Sequence, residues 1–523
     1  MKKNIITLAL LISCSFIMAQ TEFEALKYVQ SDINGTARYM SMAGAFGALG
    51  GDASAIKDNP AGLGIYRKSE IIGTLNVLMQ NTTSNWKYDD NGVKNSYGYG
   101  DLYKLGANNF SMVIASPTWR NESGTQGLLS SNFSFAYNRL KNFDRYIYSN
   151  SGPSLSSMTD YIAYFSSGPD GLYPNDLIYN SDINELFNNP YIPTLSVYGY
   201  QGYLMDSIGD KTWGSSVYNN KISPSYRLTE KGHLDEYSFG WAGNFSNVFY
   251  FGATLNYQAL NYTGISHYSE TFGSEGSMSI GDTIYTKGSA WNFKIGAILS
   301  PTDFLRLGLS VHTPTILSIS DNYYSTLEYN RTNLNANGTI VAPGNYSSYQ
   351  LQSPLRIDAS LAFILGSKGL ISAEYIYNNN TGTRLLSEDG DNMSYQYENE
   401  GMSKALNNSR TIKIGGEYRL SENFSLRAGY ANTNNETKPN AEKLLQLNTK
   451  KADTAYFLHN STNYLTAGFG YHESGWFIDF AYMNKIIDET FYPYRSSVLP
   501  NAVTLASVIT ANNNMVVTLG FKF

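Results

Sequence analysis

Apolar and polar residues alternate along much of the chain, most clearly at its end. Met515, Val517, Leu519, Phe521 and Phe523 alternate with Val516, Thr518, Gly520 and Lys522. A strand turns successive side chains to opposite faces, so one row can meet lipid and the other a polar lumen. The pattern recurs at Leu465, Ala467, Phe469 and Tyr471, and at Phe424, Leu426, Ala428 and Tyr430. It recurs again at Ile412, Ile414, Tyr418 and Leu420, at Leu355, Ile357, Ala359, Leu361 and Phe363, and at Leu305, Leu307, Leu309 and Val311. In each case the mid-strand charges fall on the small or polar row. A bilayer demands this, because a Lys or Arg facing its midplane costs about 2–4 kcal/mol. A soluble sandwich would carry a charged or Thr-rich outer row. Here the polar row is Gly, Ser and Asn, and the apolar row is strongly aromatic.

About fourteen segments read this way: near 69–80, 108–116, 129–140, 235–246, 248–262, 288–299, 303–312, 353–365, 369–378, 410–420, 422–431, 461–471, 475–485 and 513–523. Short turns at Ser246-Asn247, Ser300-Pro301-Thr302, Gly366-Ser367-Lys368, Ser421 and His472-Glu473-Ser474 alternate with long stretches at 81–107, 141–234, 263–287, 313–352, 379–409, 432–460 and 486–512. Short periplasmic turns and long extracellular loops are the topology of a transmembrane barrel. The expected fold is therefore all-β, a transmembrane antiparallel barrel of about 14 strands in the outer membrane of a Gram-negative bacterium.

Composition fits this reading. Tyr (43) and Gly (46) are abundant, charged residues make up 15 % and mean hydropathy is −0.30. The formal net charge of −6 argues against a nucleic-acid partner. Residues 1–19 read as a signal peptide, with Lys2 and Lys3 before an apolar run and Ile17-Met18-Ala19 before the cut. That cut removes Cys14, the one cysteine, and with it any disulfide or thiolate metal site. No later apolar run has the ~18 residues of a transmembrane helix.

Residues 20–68 precede the first strand and are too few for a domain of their own. Starting in the periplasm, they can enter the barrel (69–523) from below as a plug. They read Gly35-Thr36-Ala37-Arg38-Tyr39, then a Gly/Ala stretch, then Asp52-Ala53-Ser54 and Asn59-Pro60-Ala61. An Asn before Pro favours a turn, and Pro removes a backbone donor. The segment resembles the hatch of the FadL/TodX family of outer-membrane transporters for hydrophobic compounds. The resemblance covers this motif, the strand count and the terminal Phe523, whose strand looks like the signal read by the outer-membrane assembly machinery. It implies capture of a hydrophobic small molecule, such as a long-chain fatty acid, at extracellular loops. Hatch rearrangement at Arg38, Asn59, Pro60 and Ala61 would follow, with lateral exit into outer-membrane lipid and lipopolysaccharide. In the family a kinked third strand opens the wall, and 131–140 departs from that pattern by lacking Pro or Gly.

The largest loop, 141–234, places Met158, Tyr161, Ile162 and Phe165 at helical spacing, either as a greasy landing site or as packing for the loop itself. Arg306, Arg356, Lys413 and Arg427 fall on the lumen row, where they could meet a carboxylate ligand or pair with Asp358, Glu374, Glu417 and Asp479. No Gly-x-Ser-x-Gly or His-Glu-x-x-His motif is present, so neither catalysis, a metal nor a cofactor is expected. A second reading is a FadL-like barrel serving type IX secretion as a shuttle or scaffold, with a secreted protein as partner. A general porin would need no plug.

Overall fold

A computed structural model describes residues 22–88, 94–118, 126–154, 156–218, 222–446, 449–499 and 503–523. The expected signal peptide lies outside these residues. The barrel has fourteen strands. They are β1 (Glu70–Tyr88), β2 (Lys94–Ile114), β3 (Leu128–Asn142), β4 (Ser223–Phe245), β5 (Phe249–Thr271), β6 (Gly276–Thr302), β7 (Leu305–His312 continued by Ile316–Arg331) and β8 (Asn345–Gln352 continued by Arg356–Leu365). The rest are β9 (Gly369–Asn378), β10 (Ser409–Arg419), β11 (Phe424–Thr433), β12 (Tyr456–His472), β13 (Trp476–Tyr492) and β14 (Ala506–Lys522). Each pairs antiparallel with its neighbours, and β1 pairs with β14 from Glu70↔Lys522 to Trp86↔Ala506, closing the ring. Phe523 exchanges two backbone hydrogen bonds with Ser69, at 3.0 and 3.1 Å, at the periplasmic end of this seam.

Alternation decides which face each side chain takes. Leu75, Val77, Leu255, Phe293, Leu309, Ile414, Leu465 and Val517 are exposed on the outer wall. Thr74, Asn256, Lys294, Ser310, Lys413, Thr466 and Thr518, from the other row, are buried inside. The Ser246-Asn247 turn has φ of 57° and 58°, the paired left-handed geometry that joins two twisted strands tightly.

Strands run farther outward than the hydropathy pattern predicts. β1 and β2 occupy most of 81–107, and only 272–275 separates β5 from β6. The reason is physical: above the lipid the outer face turns polar while the inner face packs on the cap, so the apolar residues change rows, to Tyr268, Met278 and Ile280, and the lipid-facing signal ends before the ladder does. β7 and β8 also cover much of 313–352, and both break at one level, at Thr313-Pro314-Thr315 and Ser353-Pro354-Leu355. A proline removes a ladder donor, and here the breaks are stitched by Ser353 N–H to Thr315 O at 2.8 Å.

The long loop after β3 folds over the barrel mouth with three helices, α3 (Met158–Phe165), α4 (Asn184–Asn188) and α5 (Thr194–Gln201). Inside the barrel run α1 (Glu22–Val29), α2 (Ala37–Ser41) and two 3-10 turns, Ala53–Lys57 and Pro60–Ile65. The first described residues of this lumenal segment lie at the outer end of the lumen, not the periplasmic end. Phe23 stacks on Tyr456 at 5.1 Å, and Glu24 pairs with Lys451 at 2.8 Å. From there the chain descends to Arg67, which bonds Asn247 in the periplasmic turn.

Candidate functional site

The lumenal segment is shaped by its own polar side chains. Thr36 caps α2 and donates to Asp52 at 2.8 and 2.9 Å, while Asp52 accepts the Ser54 N–H at 2.9 Å. Asn59 caps the turn that Pro60 begins, accepting the Ala61 N–H at 3.0 Å. Its amide donates to Gly47 O at 2.7 Å and to Ala297 O of β6 at 3.3 Å. Such a close seat requires an absent side chain on the wall. A Cβ at Gly296 would lie 1.9 Å from the Asn59 amide oxygen, and one at Gly252 would lie 2.4 Å from Pro60 O.

Charges complete the seat. Arg38 Nε pairs with Glu417 at 2.9 Å, and its Nη1 donates to Gly51 O at 3.1 Å. Arg427 shares Glu417 at 2.6 Å and holds Asp479 at 2.5 Å. Asp58 receives Arg356 at 2.9 Å, lies 3.7 Å from Lys413 and accepts the Tyr39 hydroxyl. Arg356 also binds Asp358 at 2.7 Å, and Lys413 binds Glu374 at 2.9 Å. Arg306 donates to Leu49 O at 2.8 Å. Burial alone would raise the Asp58 carboxyl, but Lys413, Lys57 and Arg356 together hold it well below the usual carboxylate range. Burial, with Lys413 and Arg356 nearby, brings the Lys57 ammonium down to about 8 despite Asp58.

The four lumen cations singled out from the sequence thus all contact the lumenal segment or the wall carboxylates beside it. Arg356 alone of the four lines the lumenal cavity of 330 Å³, which α1 flanks and which Lys57 and Asp58 also line. Apolar Leu26, Leu140, Phe143, Leu234, Leu317 and Tyr464 share that lining with Lys27, Lys141, Arg145, Lys294, Glu230 and Glu489. Most of these charges are paired: Lys27 with Glu230, Arg145 with Glu489, Lys294 with Glu236 at 2.6 Å. Lys141 instead donates to Lys27 O at 3.1 Å and the Gln30 amide oxygen at 2.5 Å.

Met158, Tyr161, Ile162 and Phe165 are buried in the core of the extracellular cap, among Trp86, Leu195, Tyr198 and Phe491. They do not line the cavity. α3 is fixed there by a Ser157/Asp160 capping box and by Glu270, which accepts the Met158 N–H at 2.7 Å.

One ladder of the wall is interrupted. β2 pairs with β3 only from Asn109↔Asn138 to Ile114↔Phe133, although β2 continues outward past this point. The parting starts at Asn108, which the β1–β2 register skips between Thr74↔Asn109 and Leu75↔Ala107. Leu105 and Tyr103, just above it, are 72 % and 71 % exposed, against 50 % for Phe110 below. Lys104 reaches Asp144 across the gap at 2.5 Å. Behind it crosses the loop strand Arg145–Asn150, whose Tyr148 O accepts from Ser84 at 2.9 Å. Gln80, Phe143, Asp144 and Arg145 line both this region and the cavity. The parted edge also meets the lumenal segment, since the Asn108 amide lies 3.5 Å from Met40 Sδ. Sequence reasoning missed Asp58 and Asn108. A signal for the second existed: outward apolar positions are odd-numbered at Tyr97, Tyr99, Tyr103 and Leu105 and even-numbered at Phe110, Met112 and Ile114, which marks a bulge.

A closed fourteen-strand barrel with an apolar outer belt and a peptide seated in its lumen has a Gram-negative outer-membrane fold. The particular fold is that of the FadL/TodX-type channels. A Pseudomonas aeruginosa FadL homologue superposes with TM-score 0.55 and 12% identity, over 94% of this chain and 99% of that one. The ΔS2S3 mutant of TodX, a monoaromatic hydrocarbon channel known from Pseudomonas putida, gives 0.51 at 12% identity, over 94% and 99%. No family model and no curated protein matches the chain.

Proposed function

We propose that the protein carries hydrophobic compounds across the outer membrane without catalysis. The ligand is captured at the extracellular cap and enters the cavity. Movement of the hatch, residues 22–68, then frees a lateral exit between β2 and β3. The observation that carries this reading is the conjunction of the plug with the interrupted β2–β3 ladder: a cavity blocked toward the periplasm abuts a part of the wall whose strands are not hydrogen-bonded to each other. Leaving sideways is downhill, because each CH₂ kept from water is worth about 0.8 kcal/mol. Lys141, whose acceptors on the cavity lining are the neutral Lys27 O and Gln30 amide oxygen, suits the carboxylate of a long-chain fatty acid.

Native mass spectrometry with lipid extraction on the detergent-purified barrel tests this. A co-purified fatty acid or other apolar ligand, diminished by Asn59→Ala, is expected. A barrel free of apolar ligand that brings down a secreted protein would overturn the reading. It would favour the second one, a FadL-like scaffold for type IX secretion, which draws support from the heavily ion-paired lumen and the folded cap over the mouth.

A further inference from the structure

The outer surface just beyond the apolar belt differs between its two flanks. On β11–β14 it is a neutral Tyr/Asn ladder. Tyr430 and Asn432 donate to the Asn463 amide oxygen at 3.0 and 2.8 Å, and Tyr482 and Asn484 donate to that of Asn513 at 2.6 and 2.9 Å. On β3–β6 the belt ends in a continuous aromatic row, Tyr137, Tyr237, Tyr257 and Trp291, with ring centroids 5.4, 6.3 and 5.2 Å apart. Rings that are apolar in body and polar at the tip settle at the level of lipid headgroups.

Above that row the outward positions become basic. Arg139 follows Tyr137 on β3, His233 and Lys231 lie beyond Tyr237 on β4, and Lys287 lies beyond Trp291 on β6. Neutral Asn261 and Thr263 of β5 stand between, paired with His233 and Lys287 and with Lys231 respectively. Two carboxylates stand at this level on the described part of the flank: Asp235 is engaged by Arg139 at 3.0 and 3.3 Å and lies 3.4 Å from His233, and Asp144, which accepts the Gly232 N–H at 3.4 Å, is engaged by Lys104 at 2.5 Å. Lys231 and Lys287 are exposed, and neither has an ion pair among the described residues. Two strand spacings and one offset of register put their Cα atoms roughly 10–12 Å apart. Long ammonium side chains can snorkel toward the headgroups from there.

We infer that this flank is a binding site for lipopolysaccharide. Lys231 and Lys287 engage its phosphates, with Arg139 held ready beside them by Asp235, and the row from Tyr137 to Trp291 beds its acyl chains. The occupant follows from charge and position together. An uncompensated basic patch directly above an aromatic headgroup belt matches a lipid whose phosphates sit above its chains. A zwitterionic lipid would give no reason for the sidedness, and a free anion would give none for the aromatic row.

The test is native mass spectrometry of the whole folded barrel in detergent, titrated with diphosphorylated lipid A and with the same lipid lacking its phosphates. Diphosphorylated lipid A is expected to bind at least tenfold more tightly, and the advantage should shrink at high salt. The double variant Lys231→Gln/Lys287→Gln should lose that advantage, whereas Asn463→Ala/Asn513→Ala on the opposite flank should keep it. Heat-modifiable migration on gels verifies that each variant is folded. Inorganic phosphate in millimolar excess should not displace the lipid. Equal affinity for the two lipids, unchanged binding by the double lysine variant, or displacement by phosphate alone would each overturn the assignment.

Discussion

The two ends of the lumen are closed by different balances of apolar packing and charge. Toward the periplasm the hatch packs Met40, Met42, Phe46 and Leu49 against small wall residues such as Ala431 and Ala481, and it is also tied to the wall by directional bonds, Asp58 to Arg356 and Lys413, Arg38 to Glu417, Asn59 to Ala297. Toward the outside the cap holds itself through a continuous apolar core built on Met158, Ile162, Leu195, Val197 and Phe491. Apolar burial is nondirectional and lost only when the core comes apart. Ion pairs and amide bonds can be exchanged singly for water or a ligand. The difference teaches that the lower closure carries, beside its apolar packing, wall contacts that can be exchanged one at a time, as the proposed hatch movement requires.

Removing Asp58 should break this contrast most sharply. Asp58→Asn leaves Lys57, Lys413 and Arg356 clustered without their common carboxylate, a loss of about 3–5 kcal/mol for a buried pair. Hydrogen exchange should rise across residues 36–66 while the cap stays protected. Ile162→Ala should do the reverse, loosening the cap by about 2–4 kcal/mol through a cavity. Limited proteolysis would then cut the long loop first, and simultaneous release of the hatch would show the two closures to be one unit. Gly296→Ala forces a methyl against Asn59 and should weaken the seat by about 1–3 kcal/mol. Ion conductance in planar bilayers reads the resulting leak, and an unaltered trace would mean that the seat adapts.

The smallest effect concerns α1. Burial pushes the Glu22 carboxyl up to about 7, so it docks neutral. Its contribution to docking is complete below the ordinary 4.5 and is lost as pH rises through 7. Burial opposes charge at Glu24 as well, but Lys451 and Lys443 outweigh it and draw the group down to about 2. That contribution is present above 4.5 and disappears only toward pH 2. A spin label on α1 should therefore be less mobile at pH 5.5 than at pH 8, and Glu22→Gln should abolish the difference.

The membrane-facing barrel was legible because lipid imposes a period of two that no other environment repeats so strictly. Leu465 to Tyr471 and Met515 to Phe523 could hardly be read otherwise. The outward extensions of β5 and β6 were not, since there the apolar row turns inward, to Tyr268, Met278 and Ile280, and the lipid-facing pattern stops. Candidate lumen cations could be found by parity, but their partners could not. Asp58 meets Arg356 across a long stretch of chain, and only the closed ring brings them together. The helical spacing of Met158, Tyr161, Ile162 and Phe165 was visible, whereas what that face packs against depends on Trp86 and Phe491 from distant strands.

The seam between β1 and β14 also bears on the order of assembly. The hatch leads directly into β1, and β14 follows the other thirteen strands in chain order. Until those two edges meet, the molecule is a curled ribbon lying beside a peptide, and the peptide can come and go. Once they meet it is a ring tethered to its own contents, like a ship raised inside a bottle. Once the ladder from Glu70↔Lys522 to Trp86↔Ala506 is complete, the hatch can leave the lumen only through an end of the ring.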